Sequence, residues 1–267
     1  MEDRVKVTIE HGVADVRLNR ADKMNALDAD MFTAIAETGA RLKRDQNLRA
    51  VVLSGEGRAF CAGLDVERMA AVANGENLLP FPHLDRRTHG VANFVQHIVW
   101  LWRELPVPVI AAVHGIALGG GFQLTLGADL RYVAPGTRLG IIEAKWGLVP
   151  DMAGTQLMRR LAREDVVREL TYTARIFSAE EALAYGFATR LEVDPRAAAL
   201  TTAREIAAHS PHAIRAAKRL LNQAVASDAE EGLTTETMEQ KALLGSPNQL
   251  EAIRSNIEKR MPNWSNP

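Results

Sequence analysis

The chain has 267 residues, of which 47% are hydrophobic and 24% charged, a balance that supplies a sizeable core and excludes a disordered polymer. Its 32 basic and 33 acidic side chains leave a formal net charge of -1 and are dispersed, so no segment offers the dense positive field that nucleic acid demands. Cys61 is the only cysteine, which excludes an internal disulfide and agrees with a reducing compartment.

In chain order, the amino terminus carries acidic and alternating apolar residues instead of the basic start and apolar run of a secretion signal. Val5, Val7 and Ile9 alternate with polar residues, Gly12 interrupts, and Val16 and Leu18 resume the alternation, which predicts a hairpin. Asp28–Arg44 changes to a helical period, with Met31, Ile35 and Leu42 on one face and Asp28 as the cap. Ala50–Ser54 and Val107–Val113 are continuous apolar runs before glycine loops, the pattern of strands buried on both faces. Pro106–Leu126 is the most apolar region, but His114, Gln123 and four glycines interrupt it, so it falls short of the ~20 unbroken residues of a membrane helix. A cytoplasmic protein is the expectation.

A helix is predicted over Thr88–Leu105, carrying His97, Trp100 and Trp102, with the tryptophans assigned to core packing. Further on, Ser178 and Glu181 form a capping box and Gly186 stops that helix. Ser210-Pro211 and Ser246-Pro247 each place a capping hydroxyl before a proline at the first helical position, and Gln249 is read as completing a second capping box. Three or four helices are expected after Asp194. The chain therefore divides into an α/β core, residues 1–194, and a helical region, residues 195–267.

Two glycine-rich turns follow buried strands and precede helical patterns. Gly63-Leu64-Asp65 and Gly119-Gly120-Gly121 both leave backbone amides unpaired near a helix start, which suits an anion. Other motifs fail. Gly55-Glu56-Gly57-Arg58-Ala59-Phe60 begins like a dinucleotide fingerprint but has Phe60 in place of the third glycine, and Walker, GxSxG and HExxH patterns do not occur. Cys61, between Phe60 and Ala62, reads as a small buried apolar residue and not as a nucleophile.

Arg58-Ala59-Phe60-Cys61-Ala62-Gly63-Leu64-Asp65, then His114-Gly115-Ile116-Ala117-Leu118-Gly119-Gly120-Gly121, then Glu143 in a loop ending Gly154-Thr155-Gln156, resemble the signature segments of the enoyl-CoA hydratase/isomerase (crotonase) superfamily. The resemblance extends from Leu18-Asn19-Arg20 to Glu258-Lys259-Arg260. It implies a spiral of ββα units, a homo-oligomer (trimer or hexamer), and an oxyanion hole made by the amides of Leu64 and Gly120. The implied substrate is an acyl-CoA thioester, with coenzyme A entering as part of the substrate, no tightly bound cofactor and no metal.

Proton transfer needs a carboxylate beside those turns. Glu143 matches the second of the paired glutamates of the hydratases; Gln123, 20 residues earlier, stands in place of the first. Asp151, eight residues after Glu143, matches an acidic position of the dienoyl-CoA isomerases. Since an amide cannot accept a proton at neutral pH, double-bond isomerisation is favoured over hydration; a catalytically weak binding subunit is a third reading. Gln123 is read either as positioning water or as satisfying buried polar groups, and Asp151 either as a second acid or as a turn residue. By the same resemblance Lys23, Ala26, Ala62, Leu64, Asp65 and Lys259 border the coenzyme, while Asn256 departs from the phenylalanine common there. Acyl specificity is expected to reside in Met69–Trp100.

Overall fold

The computed structural model describes residues 4–65, 67, 70, 75 and 84–267. Part of the Met69–Trp100 segment expected to set specificity thus lies outside the described residues. The hairpin forms as expected: β1 (Val5–Glu10) and β2 (Val13–Leu18) pair antiparallel, and helix α1 (Ala29–Arg44) follows, with the Asp28 carboxylate accepting from the Met31 amide at 2.8 Å. Strands β3 (Ala50–Gly55), β4 (Val109–Val113), β6 (Leu130–Val133) and β9 (Arg190–Leu191) then add in parallel, giving a six-stranded sheet in the order β1-β2-β3-β4-β6-β9.

Both faces of that sheet are covered, and the alternation of side chains along each strand shows how. On one face Val51, Leu53, Val109, Ala111 and Val113 join the main core with Phe32, Ile35 and Trp102. On the other, Ala50, Val52, Ile110, Ala112 and Tyr132 pack against Ala199 and Ala203 of the helix Pro195–Ala207, whose small side chains at i and i+4 allow close approach. Burial on both sides is why these strands read as continuous apolar runs.

Each turn of the chain sends one strand to the large sheet and the next to a smaller one. Strand β4 leads through Gly115 into β5 (Ile116–Leu118) and helix α3 (Gly120–Leu126); β6 leads into β7 (Arg138–Gly140), and β8 (Ile176–Ser178) closes the order β5-β7-β8. Cys61 bridges Ala117 in parallel, so the segment after β3 joins the same layer. This is the expected α/β spiral of ββα units. Four helices follow Asp194: Pro195–Ala207, Pro211–Ala224, Ala229–Leu243 and Pro247–Glu258. Among the described residues no helix is long and apolar enough to cross a membrane.

Local differences have local causes. The helix expected over Thr88–Leu105 begins at Phe94 (α2, Phe94–Glu104), because Gly90 turns the chain at φ 61 and Asn93 and Gln96 form the capping box. The strand expected from Val107 begins at Val109, after Pro108. At Ser246 the hydroxyl accepts from the Gln249 amide as expected, but the Gln249 side chain accepts from Gly245 instead of closing a box on Ser246.

Candidate active site

The small layer forces the two glycine turns together. Phe60 donates to His114 O, Cys61 to Ile116 O, and Leu118 back to Cys61 O, so the segments that end in Gly63 and Gly119 run side by side. At their ends contact is too close for any side chain: a Cβ on Gly63 would meet Leu118 O at 2.5 Å and stand 3.6 Å from Gly120 N, and one on Gly121 would meet Cys61 O at 2.3 Å. Gly119 adopts φ 52, ψ -122, a conformation that only glycine reaches comfortably.

Leu64 is oriented by its neighbours. Leu27 donates to Gly63 O and accepts from Asp65 N, the two bonds of a parallel bridge, so the amide between them, that of Leu64, faces away from Leu27. The amide of Gly120 opens helix α3, where the first N–H groups have no partner within the helix. Among the described residues neither amide has a hydrogen-bond acceptor.

Asn25 and Arg20 hold the Leu27 segment in place, roles that the sequence reading did not assign. Asn25 is fully buried with φ 55; its Oδ1 accepts from Arg20 N at 2.8 Å, and its Nδ2 donates to Glu56 O and Ala59 O at 2.9 and 2.8 Å. The Arg20 guanidinium pairs with Asp65 and donates to Ala26 O. Arg20 and the Glu67 amide thus occupy the Asp65 carboxylate, and although burial acts the other way, these donors hold it below the ordinary aspartate range.

Glu143 opens a short 3-10 turn, Glu143–Trp146, and is buried against the second glycine turn, where a Cβ on Gly119 would lie 3.5 Å from its Oε1. That oxygen accepts from Gln123 Nε2 at 2.6 Å. The other, Oε2, is buried with no hydrogen-bond partner among the described residues. Gln123 is itself fixed, since its Oε1 accepts from the amides of Met152 and Gly154 at 2.9 and 3.0 Å. Of the two Gln123 options from the sequence, these contacts correspond to the second: it satisfies buried polar groups, and one of them is the Glu143 carboxylate.

Burial raises the Glu143 carboxyl above its ordinary range, the Gln123 donor opposes this, and the charge of Asp151 adds to the rise. Asp151 is exposed as a residue, yet surrounding atoms hem in its carboxyl, and that desolvation raises it as well. The structure therefore brings Leu64, Gly120, Gln123, Glu143 and Asp151 into one region. Of the residues expected to border coenzyme A, Ala26, Ala62 and Asp65 lie on the segments flanking the first turn; Ala62 donates to Met24 O. Lys23 is exposed and paired with Glu67, whose hydrogen bond raises the lysine's pKa. Lys259 is exposed at the C-cap of the last helix, where it has φ 51 and no ion pair among the described residues.

Trp102 is fully buried in the core, Trp100 packs against it, and His97 is half-buried and stacked on His89 at 4.0 Å, with burial first and then His89 lowering its pKa to about 4. Among the described residues no group of three or more His, Cys, Asp or Glu is placed to hold a metal ion. Cys61 is buried, donates to Asn25 O at 3.1 Å, and burial pushes its thiol up to about 12. A thiol so desolvated is inert. Iodoacetamide at pH 8 is expected to leave Cys61 unmodified in the folded protein and to label it in denaturant; mass spectrometry showing rapid labelling without denaturant would contradict this placement.

A spiral of ββα turns with two abutting glycine loops is the crotonase architecture. The family model for enoyl-CoA hydratase/isomerase matches residues 8–267, and the chain belongs to that family. Methylglutaconyl-CoA hydratase of Mus musculus is 31% identical over 260 residues, covering 95% of this chain and 79% of that protein. The 1,2-epoxyphenylacetyl-CoA isomerase of Escherichia coli (strain K12) is 30% identical over 259 residues, covering 96% of each. A crystal structure of enoyl-CoA hydratase from Bacillus anthracis superposes with a TM-score of 0.87 at 30% identity over 98% of both chains. The family consists of enzymes of acyl-CoA and lipid metabolism, hydratases and isomerases among them.

Proposed function

We propose that the protein isomerises the double bond of an enoyl- or dienoyl-CoA thioester, through an enolate held by the amides of Leu64 and Gly120. The observation that carries this reading is the orientation of Gln123. Its carbonyl end takes two backbone N–H groups, so an NH2 group faces Glu143 where the hydratases resembled here have a second carboxylate. A donor in that place cannot deprotonate water. Proton removal then falls to Oε2 of Glu143, the oxygen without a partner, and delivery along a conjugated chain to Asp151 or back from Glu143.

Negative charge develops on the thioester oxygen during proton removal, and each aligned amide donor lowers that barrier by ~2.7 to 4 kcal/mol. Lys23, Ala26, Ala62, Leu64, Asp65 and Lys259 are assigned to the coenzyme portion, the lysines as point charges for phosphate. Leu221, Leu233, Met238 and Ile257 are exposed on the last three helices and Leu244 caps one of them; apolar side chains gathered in this region support assembly into a trimer or hexamer that would cover them. The reading requires neither a metal nor a tightly bound cofactor.

Hydration is the second reading, favoured by the likeness to methylglutaconyl-CoA hydratase. Incubation in heavy water with 2-enoyl-, 3-enoyl- and 3,5-dienoyl-CoA separates the two. Bond migration with deuterium incorporation is expected; water addition without migration would overturn isomerisation. Asp151→Asn is expected to slow dienoyl migration by about 10-fold or more and to affect a simple 3-enoyl shift less, because only the longer shift uses a second acid. Equal losses on both substrates would remove Asp151 from the shuttle.

A further inference from the structure

Gln123 touches more than one part of the site, and its contacts run in three directions. Its Nε2 holds Glu143 Oε1. Its Oε1 holds the amides of Met152 and Gly154, which flank Ala153 and lie one and three residues after Asp151. Ala153 adopts φ 63, ψ 2, a left-handed conformation that residues with a side chain rarely take up unless the surroundings impose it. The two N–H groups converge on one oxygen because that conformation turns both inward. Gly154 fits so closely that a Cβ there would meet Gln123 Oε1 at 2.4 Å, and the Met152 side chain lies over the other turn, its Sδ 2.7 Å from a Cβ built on Gly120.

We infer that Gln123 is a positioning residue that fixes the Asp151 loop relative to Glu143, setting the separation between the two proton carriers. The inference rests on the reading of Glu143 and Asp151 as those carriers. Only an amide side chain supplies both ends, and asparagine is one methylene too short: a glutamate keeps the acceptor for Met152 and Gly154 but, when ionised, loses the donor to Glu143, and a methionine of similar length loses both. A carboxylate at this place would stand within hydrogen-bond distance of Glu143 Oε1, and the pair would have to share a proton, whereas the neutral amide leaves Asp151 as the nearby like charge. Among the described residues, Asp151 is the charged group whose field acts on Glu143.

The test is a carboxyl 13C NMR titration of Glu143, assigned by its loss in Glu143→Gln, in the full-length protein without substrate. Asp151→Asn is expected to lower the Glu143 midpoint in the presence of Gln123, because a nearby like charge is removed. In Gln123→Met the loop is untied, and the same Asp151→Asn change is expected to move the midpoint by less than half as much. Equal displacement in the two backgrounds, or none in either, would overturn the inference. Should Gln123→Met fail to fold, Gln123→Glu retains the two backbone bonds and is expected to raise the midpoint by more than about one pH unit; an unchanged midpoint there would also overturn it. Deuterium exchange at the α carbon of a bound thioester is measured in parallel. Its absence in the unaltered enzyme would count against the enolate reading alone, because the titration needs no turnover.

Discussion

Glu143→Gln is expected to lower turnover of the preferred acyl-CoA thioester by about 10²- to 10⁴-fold, the usual effect of losing a general base, while binding of the thioester changes little. The substitution is isosteric, and its carbonyl oxygen can still accept from Gln123 Nε2, so the buried contact at 2.6 Å survives. What is lost is Oε2 as a carboxylate oxygen, the unpartnered atom to which proton removal is assigned. A steady-state comparison on 3-enoyl- and 3,5-dienoyl-CoA, with KM and kcat separated, checks the prediction; full activity would remove Glu143 from the chemistry.

The same variant carries a stability signature of known sign. The folded Glu143 carboxyl titrates above its ordinary value of 4.5, chiefly because burial disfavours the charged form. Between the unfolded and the folded pKa the native state holds the proton more tightly, so stability falls as pH rises through that window. Glu143→Gln removes this penalty. Its melting temperature is expected to exceed that of the unaltered protein at pH 7, and the difference is expected to vanish below about pH 4, where the carboxyl is protonated in both states. A constant difference across that range would mean that Glu143 is not held against ionisation.

Much of this arrangement was legible because its determinants are local. Ser178 and Glu181 satisfy each other three residues apart, and the short runs at Ala50 and Val109 have the composition of strands covered on both sides. The two glycine turns were visible for the same reason. What could not be read were contacts whose partners are distant in the chain: Asn25 to Ala59, 34 residues on, and Gln123 to the amides of Met152 and Gly154, 29 and 31 residues on. An asparagine or glutamine has no periodic signal, and which end of its amide faces a carboxylate depends on backbone donors brought in by the fold. The misplaced start of α2 had a signal in the sequence, the Asn93–Gln96 pair three residues apart that forms the capping box.

Gly63→Ala is expected to reduce kcat by roughly 10²- to 10³-fold, a loss comparable to that of an oxyanion-hole donor, although it removes no polar group. Gly63 has φ 89, where an L side chain is strained, and the added methyl would press on Leu118 O at 2.5 Å. That oxygen belongs to rigid backbone, because Leu118 lies in β5 and its own amide is tied to Cys61 O. Relief must therefore come from the turn itself, by moving Leu64 away from Gly120. Two donors aimed at one oxygen lose their effect when separated by a few tenths of an ångström, whereas contacts to the rest of a thioester tolerate such a shift. The expected result is a fall in kcat with a smaller change in KM, in a protein that still melts cooperatively. Wild-type kcat in a folded Gly63→Ala variant would mean that the two turns do not act together on the substrate.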